Sequence, residues 1–295
     1  MNIFISAGDL SGDIHAAQLI REIKKIAAQT YISAQGGDNL KSVADNFFED
    51  IVHINAFGFL PIKQFFFLKR VLKKIELHFI ERKPDKIILV DYYGFHIHIA
   101  ALAKRLNIPV YYYISPQVWA SRSFRIEKLG KVIRKMLVIF PFEEKLYRDK
   151  GVDAVFVGNP LLDKVPQKDN FILPTEPLIG LFPGSRKDTL KRHIPVILET
   201  AKILKEKLPV RFIMFSANEE LKKQIPNYIQ LYTKSDFDMR KKIDIAISPS
   251  GTVSLENAFM GIPSAIMYKL SYFNYLIIRM IIKVRFIAIA NILAD

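Results

Sequence analysis

Residues 243–268 read IDIAISPSGTVSLENAFMGIPSAIMY, and the order of residue types in this stretch decides the fold. The apolar run IDIAI has the length and branching of a buried strand. Small residues follow, from Ser248 to Thr252 around Pro249, and a segment of helical spacing then opens with Glu256 on its second turn. Strand, tight turn and helix make the repeating unit of an open α/β sheet. Such a turn brings bare backbone N–H groups to the carboxyl end of the strand. Open sheets bind ligands there, and a helix N-terminus favours anionic groups. A plain turn with Ser or Thr as N-cap has the same local pattern, so the choice falls to the rest of the chain.

Outward from this stretch the alternation repeats. On its amino side lie a strand and turn, LIGLFPGSR (178–186), a helix, HIPVILETAKILKEKL (193–208), and two strands, VRFIMFSAN (210–218) and YIQLYTK (228–234). The first half runs the same way. NIFISAGD (2–9) is a strand, DIHAAQLIREIKKIAAQ (13–29) a helix and YISAQGGD (31–38) a strand. KIILVDYYGF, HIHIAALAKRLN and PVYYYISP give strand, helix and strand over 86–116, and KMLVIFPF and AVFVGNP add two more strands around the helical EEKLYRDKG. Strands this uniformly apolar, separated by helices, predict parallel sheets covered on both faces. Residues 159–177, NPLLDKVPQKDNFILPTEP, hold four prolines and no clear period. The expectation is therefore two doubly wound domains, 1–160 and 178–295, joined by a linker over 161–177. The final segment, 272–295, is the most apolar, yet Arg279, Lys283 and Arg285 interrupt it. A membrane span needs about 20 mostly apolar residues, so a helix followed by a strand is expected instead. A doubly wound domain usually adds helices after such a strand, and the second domain is expected to be incomplete at its carboxyl end.

Among 295 residues there are 43 Lys and Arg against 29 Asp and Glu, a net charge of +14, and no cysteine. The missing cysteines exclude disulfides, thiolate zinc sites and a cysteine nucleophile, and fit a reducing compartment. The amino terminus lacks the basic and long apolar regions of a signal peptide. The positive surplus points to an anionic partner: nucleic acid, an anionic membrane or a phosphorylated substrate. With no zinc-finger spacing, RNP-type strand or basic tail, nucleic acid is the poorest fit. Residues 55–83 crowd phenylalanines among lysines and arginines. They suit either a core-facing helix with solvated bases or a helix lying on an anionic bilayer.

No P-loop or dinucleotide fingerprint occurs. In SAGDLSGD, Gly8 and Gly12 flank a strand-to-helix turn, where Ser11 can hydrogen-bond an anion. In LFPGSRKDTLKRH, Pro183 and Gly184 make a turn that is followed by Ser185 and Arg186. An arginine there offers a planar fork matched to phosphate. Asp91 ends the strand IILVD and can serve as a general base if burial raises its pKa, or as a helix cap. His96 and His98 lack a third ligand, so no metal is expected. Trp119 either lines a cleft or packs.

Taken together, SAGDLSGD, LVDYYGFH, YYISPQVWASR, FPFEEKLY, FVGNPLLD, LFPGSRKDTL, SPSGTVSLENAFMGIP and NILAD resemble the lipid-A-disaccharide synthases, a family of bacterial glycosyltransferases. The likeness follows the family's order over nearly the whole chain. It implies the α/β GT-B fold, two Rossmann-like domains facing a central cleft. It also implies inverting transfer of 2,3-diacylglucosamine from its UDP donor to 2,3-diacylglucosamine 1-phosphate, with no metal and no cofactor. By the same resemblance Asp91 is the catalytic carboxylate, and Gly8, Ser11, Gly12 and Asp13 lie on the acceptor side. Ser185 and Arg186 meet the nucleotide, Ser250, Gly251 and Thr252 the diphosphate, and Glu256 the ribose. Asn291 matches the asparagine of the family's terminal motif. The implied setting is cytoplasmic and peripheral to the inner membrane, on an anionic surface, without nucleic acid and with room for a homodimer. Departures from the family pattern are Tyr93 for a proline, His96 for an asparagine, Asn159 for a histidine and Ser121 for a tryptophan. All bear on the acceptor pocket. The competing readings are another GT-B nucleotide-sugar enzyme such as a UDP-GlcNAc epimerase, a non-catalytic basic binding protein, and a truncated inactive relative.

Overall fold

Alternating strands and helices form two compact units, Met1–Gly158 and Asn159–Asp295, in a computed structural model. It describes all residues except 54–60, 119–123, 169–171, 185–186, 217, 234–235, 272–274, 277–278, 281–287 and 295, and the side chains of 61–65, 187 and 294.

The first unit runs β1 (Asn2–Ala7), α1 (Leu10–Ile26), β2 (Tyr31–Gly36), α2 (Asp38–Lys41), β3 (Asn46–Asp50), α3 (Pro61–Arg82), β4 (Lys86–Val90) and α4 (Tyr93–Arg105). It continues with β5 (Val110–Tyr113), α5 (Phe124–Gly130), β6 (Lys135–Val138), α6 (Pro141–Arg148) and β7 (Ala154–Phe156). Its strands pair in parallel in the order β3-β2-β1-β4-β5-β6-β7. Side chains alternate across a strand, so each face builds its own core. Ile3, Ile5, Ile32 and Ala34 meet Ala16 and Ile20 of α1. Phe4, Ile87, Leu89 and Val110 meet Val71, Ile75 and Phe79 of α3 and Ile99 and Leu102 of α4.

The second unit runs β8 (Leu178–Leu181), α7 (Lys187–Lys207), β9 (Arg211–Phe215), a 3₁₀ turn (Glu219–Lys223), β10 (Ile229–Tyr232), α8 (Phe237–Lys241), β11 (Ile245–Ser248), α9 (Thr252–Phe259), β12 (Ser264–Ile266) and α10 (Ile289–Ala294). The parallel order is β10-β9-β8-β11-β12. Ile194 and Ile197 of α7 cover Leu181 and Met214 on one face, and Phe182, Ile213 and Ala246 pack with Met260 on the other.

Three local features go beyond the sequence reading. Asn46–Asp50 pairs with β2 as an edge strand, although its half-buried residues show no apolar alternation. The proline-rich stretch after Asn159 is part of the second unit rather than a free linker. Val165 lies in that unit's core, and Lys168 donates through Nζ to the Ile243 carbonyl at 2.9 Å and to Asp244 Oδ1 at 3.2 Å. At the carboxyl end, Ile289–Ala294 is helical and not a strand; most of 272–287 lies outside the described residues. Among the described residues no helix is long and apolar enough to cross a membrane.

Candidate functional site

Each sheet reverses its winding once, between β1 and β4 in the first unit and between β8 and β11 in the second. Crevices for ligands open at the carboxyl ends of strands that flank such a reversal. At the first one Ala7 is in register with Val90, so the turn Gly8–Asp13 and the pair Asp91–Tyr92 leave neighbouring strands side by side.

Asp91 and Tyr92 both have positive φ, 49° and 51°. For residues with side chains that conformation is costly and persists only where the surroundings enforce it. Three bonds do so here. The Asp91 amide donates to the Tyr113 carbonyl at 3.1 Å. The Asp91 carbonyl accepts from His96 Nδ1 at 2.7 Å and from the Tyr112 hydroxyl. His96 is fully buried, and its Nε2 lies 2.9 Å from Ser6 Oγ. Because Nδ1 donates to a carbonyl, Nε2 must accept from the serine, and the ring is neutral. Burial pushes its pKa down to about 4. Ser6, His96 and Asp91 thus have the composition of a hydrolytic triad without its geometry: the serine is fully buried, and the aspartate contributes its backbone carbonyl. With both ring nitrogens engaged, His96 is unavailable to a metal.

The Asp91 carboxylate accepts from the Tyr92 amide at 2.8 Å. Burial, with the nearby Asp9 charge adding to it, raises its pKa to about 6. A carboxylate with such a pKa is mostly ionised at neutral pH and more basic than an ordinary one, which suits a general base. Asp9 caps α1, its Oδ1 accepting from Gly12 N at 2.7 Å and Ser11 Oγ at 3.1 Å. At Gly8 a Cβ would come within 2.0 Å of the Tyr92 ring, so this ring lies where only glycine leaves room.

Gly8 therefore borders the Asp91 turn directly, and Ser11 and Gly12 are bonded to the neighbouring Asp9. Asp13 differs. Its carboxylate is fully buried and accepts from Gly37 N (2.7 Å), Asn39 N (3.0 Å), Asn39 Nδ2 (2.9 Å) and Leu40 N (3.2 Å). It is saturated by the β2–α2 turn.

At the second reversal, Gly251 (φ 146°) leads from β11 into α9. Ser254 Oγ closes this turn, donating to the Gly251 carbonyl at 2.7 Å and accepting from its amide at 3.2 Å. Thr252 begins the helix and Glu256 lies one turn on, 13 % exposed, with Oε2 2.9 Å from Arg240 Nη1. Asn291 is exposed on α10, a helix that packs against α9. Ser185, Arg186 and Trp119 lie outside the described residues; Gly184, with φ 102°, makes the turn before them. Ser6, His96, Tyr112 and Arg240 could not be read as partners from sequence, because each is joined to its partner by folding and not by spacing. Among the described residues Asp38, Asp50 and His53 bring potential ligand atoms together. Here Asp50 Oδ2 already holds His53 Nδ1 at 2.6 Å.

The chain matches the sequence profile of the lipid-A-disaccharide synthetase family over residues 3–295. It is 37% identical to a lipid-A-disaccharide synthase of Syntrophus aciditrophicus, covering 99% of this chain and 81% of the relative. It is 35% identical to lipid-A-disaccharide synthase 1 of Legionella pneumophila, with the same coverage. In fold it is similar to a UDP-GlcNAc 2-epimerase from Neisseria meningitidis bound to UDP-GlcNAc, with TM-score 0.60, 13% identity and coverage of 100% of this chain and 90% of that one. The calicheamicin glycosyltransferase CalG4 aligns with TM-score 0.57 and 13% identity over 90% of this chain and 78% of its own. The two-sheet architecture is that of the GT-B enzymes.

Proposed function

Because the chain belongs to the lipid-A-disaccharide synthase family, glycosyltransferases of lipid A biosynthesis, we propose that it transfers 2,3-diacylglucosamine from its UDP donor to the 6-hydroxyl of 2,3-diacylglucosamine 1-phosphate. The products are the β-1,6-linked disaccharide 1-phosphate and UDP. The observation that carries this is the Asp91 carboxylate, held in a strained turn at a sheet reversal with a pKa of about 6. The acceptor hydroxyl is far too weak an acid to ionise at neutral pH. Asp91 takes its proton as the oxygen attacks the anomeric carbon from the face opposite UDP, and the configuration inverts. On the donor side, the N-terminal turn of α9, with Ser250, Gly251 and Thr252, offers amides and hydroxyls to the diphosphate. Glu256 accepts from the ribose hydroxyls, Ser185 and Arg186 meet the phosphates, and Asn291 closes the donor side. No metal ligand enters this scheme.

Both substrates are acylated and are drawn from a bilayer. The outer face of α3 supports docking at a cytoplasmic membrane surface. Its buried side is Val71, Ile75 and Phe79. Opposite them, Phe66, Leu77 and Ile80 are exposed between Lys69, Arg70 and Lys73, a mixture suited to an anionic interface.

Mass spectrometry of the protein with UDP-diacylglucosamine and acceptor tests the reaction. The expected products are the disaccharide 1-phosphate and one UDP per transfer. Conversion of UDP-GlcNAc to an epimer without any acceptor would instead favour the epimerase reading.

A further inference from the structure

Arg240 on α8 is fully buried, between the rings of Phe182 and Phe237, whose centroids lie 5.3 and 5.0 Å from its guanidinium carbon. Its two arms go to adjacent residues of α9: Nη1 to Glu256 Oε2 at 2.9 Å and Nη2 to Asn257 Oδ1 at 2.7 Å. A buried arginine of this kind is rarely the most stable way to fill a core, since taking the charge from water costs several kcal/mol and an apolar side chain of similar volume often does as well. The explanation lies in what the guanidinium holds. A glutamate on a helix surface samples several rotamers, and a ligand that needs one of them must overcome that freedom. Here one carboxylate oxygen is fixed by a planar donor whose other arm is anchored on the next residue of the same helix, so the carboxyl group can neither swing nor rotate freely. Its second oxygen, Oε1, has no hydrogen-bond partner among the described residues, and the Glu256 side chain keeps 13 % of its surface exposed.

We propose that Arg240 is a positioning residue of the donor site, holding Glu256 by Oε2 so that Oε1 stays aimed for the hydroxyl groups of the nucleoside. This rests on Glu256 as the ribose contact. It makes nucleoside recognition depend on a residue that never touches the nucleotide. It also separates two parts of the ligand, because the diphosphate contacts at the N-terminal turn of α9 do not need Arg240.

The test measures the affinities of UDP and of inorganic pyrophosphate by calorimetric titration for Arg240→Met, Arg240→Lys, Glu256→Gln and the double variant Arg240→Met/Glu256→Gln. Arg240→Met keeps much of the volume and loses the fork. UDP affinity should fall about tenfold, as for loss of one charge-assisted contact, with pyrophosphate affinity unchanged. Arg240→Lys can still reach Oε2 and should recover part of the loss. In the double variant the effect of Arg240→Met should vanish, because the carboxylate it positions is gone. Equal losses for UDP and pyrophosphate in both Arg240 variants would mean that the residue merely supports the fold, and would overturn the proposal. So would normal UDP affinity in Arg240→Met with weakened affinity in Glu256→Gln. Normal UDP affinity in Glu256→Gln would remove the ribose contact itself.

Discussion

Burial works against an ionised Asp91, and that conflict has a measurable consequence. Its pKa is raised in the folded chain to about 6, so the native state binds this proton more tightly than the unfolded state does. The penalty for the ionised form is fully present above about pH 6 and disappears below the unfolded value near 3.8. Asp91→Asn carries no charge to desolvate and can still accept from the Tyr92 amide. It should be more stable than the parent by about 1–3 kcal/mol at pH 8, with the gap closing as the pH falls from 6 to 4. Thermal melts at both ends of that range check this, and a gap independent of pH would contradict it. Gly8 gives a second test. A Cβ there meets the Tyr92 ring at 2.0 Å, so Gly8→Ala should lower stability by about 1–3 kcal/mol as the overpacked turn shifts, seen as a lowered midpoint in denaturant. Asp91 stood out in the sequence as a carboxylate directly after an apolar strand, with helix capping as its ordinary alternative. The clamp of Ser6, His96 and Tyr112 did not. Ser6 and His96 are 90 positions apart, and only the parallel pairing of β1 with β4 brings their elements together. The bonds of Asp13 were equally hidden: it is near Ser11 in sequence, whereas its carboxylate turns inward to four donors.

Among the elements, α3 has a buried face in the core and an opposite face proposed for membrane docking. Lys69, Arg70 and Lys73 lie on its outer side, while Lys74 is paired with Glu49 at 2.7 Å. Each basic residue near an anionic surface adds roughly 1 kcal/mol. Changing Lys69, Arg70 and Lys73 together to Glu should therefore weaken binding to phosphatidylserine-containing vesicles by at least about a hundredfold, leaving the melting temperature close to the parent's. Co-sedimentation at moderate salt measures it, and unchanged binding would place the docking surface elsewhere. The helical period of α3 and the strand–turn–helix units were readable because burial imposes a pattern on such segments. β3 escaped notice because every one of its residues is only half-buried, and an edge strand imposes little pattern. The prolines after Asn159 read as a linker, but a single apolar residue, Val165, is enough to tie that stretch to the second core.

Across the whole molecule, two parallel sheets with the same winding order each present one reversal, and the proposed chemistry divides between them. The first unit holds a carboxylate tuned toward neutrality. The second holds a helix N-terminus and a fixed glutamate. The doubly wound pattern of both units could be read from the chain because repeated apolar strands leave few alternatives. The reaction was not legible in that pattern; it came from the likeness of stretches such as LVDYYGFH and SPSGTVSLENAFMGIP to a known family. The surplus of 43 basic over 29 acidic residues fits the phosphate-bearing substrates and the charged bilayer proposed for it. Everything proposed for catalysis passes through the Asp91 carboxylate, so the most direct measurement is the turnover of Asp91→Asn, followed by mass spectrometry of the disaccharide product and paired with UDP titration. Turnover should fall by about 10²–10⁴-fold while UDP affinity stays within about twofold of the parent's. Near-normal turnover would contradict the account and leave Asp91 as a strained turn residue without a catalytic role.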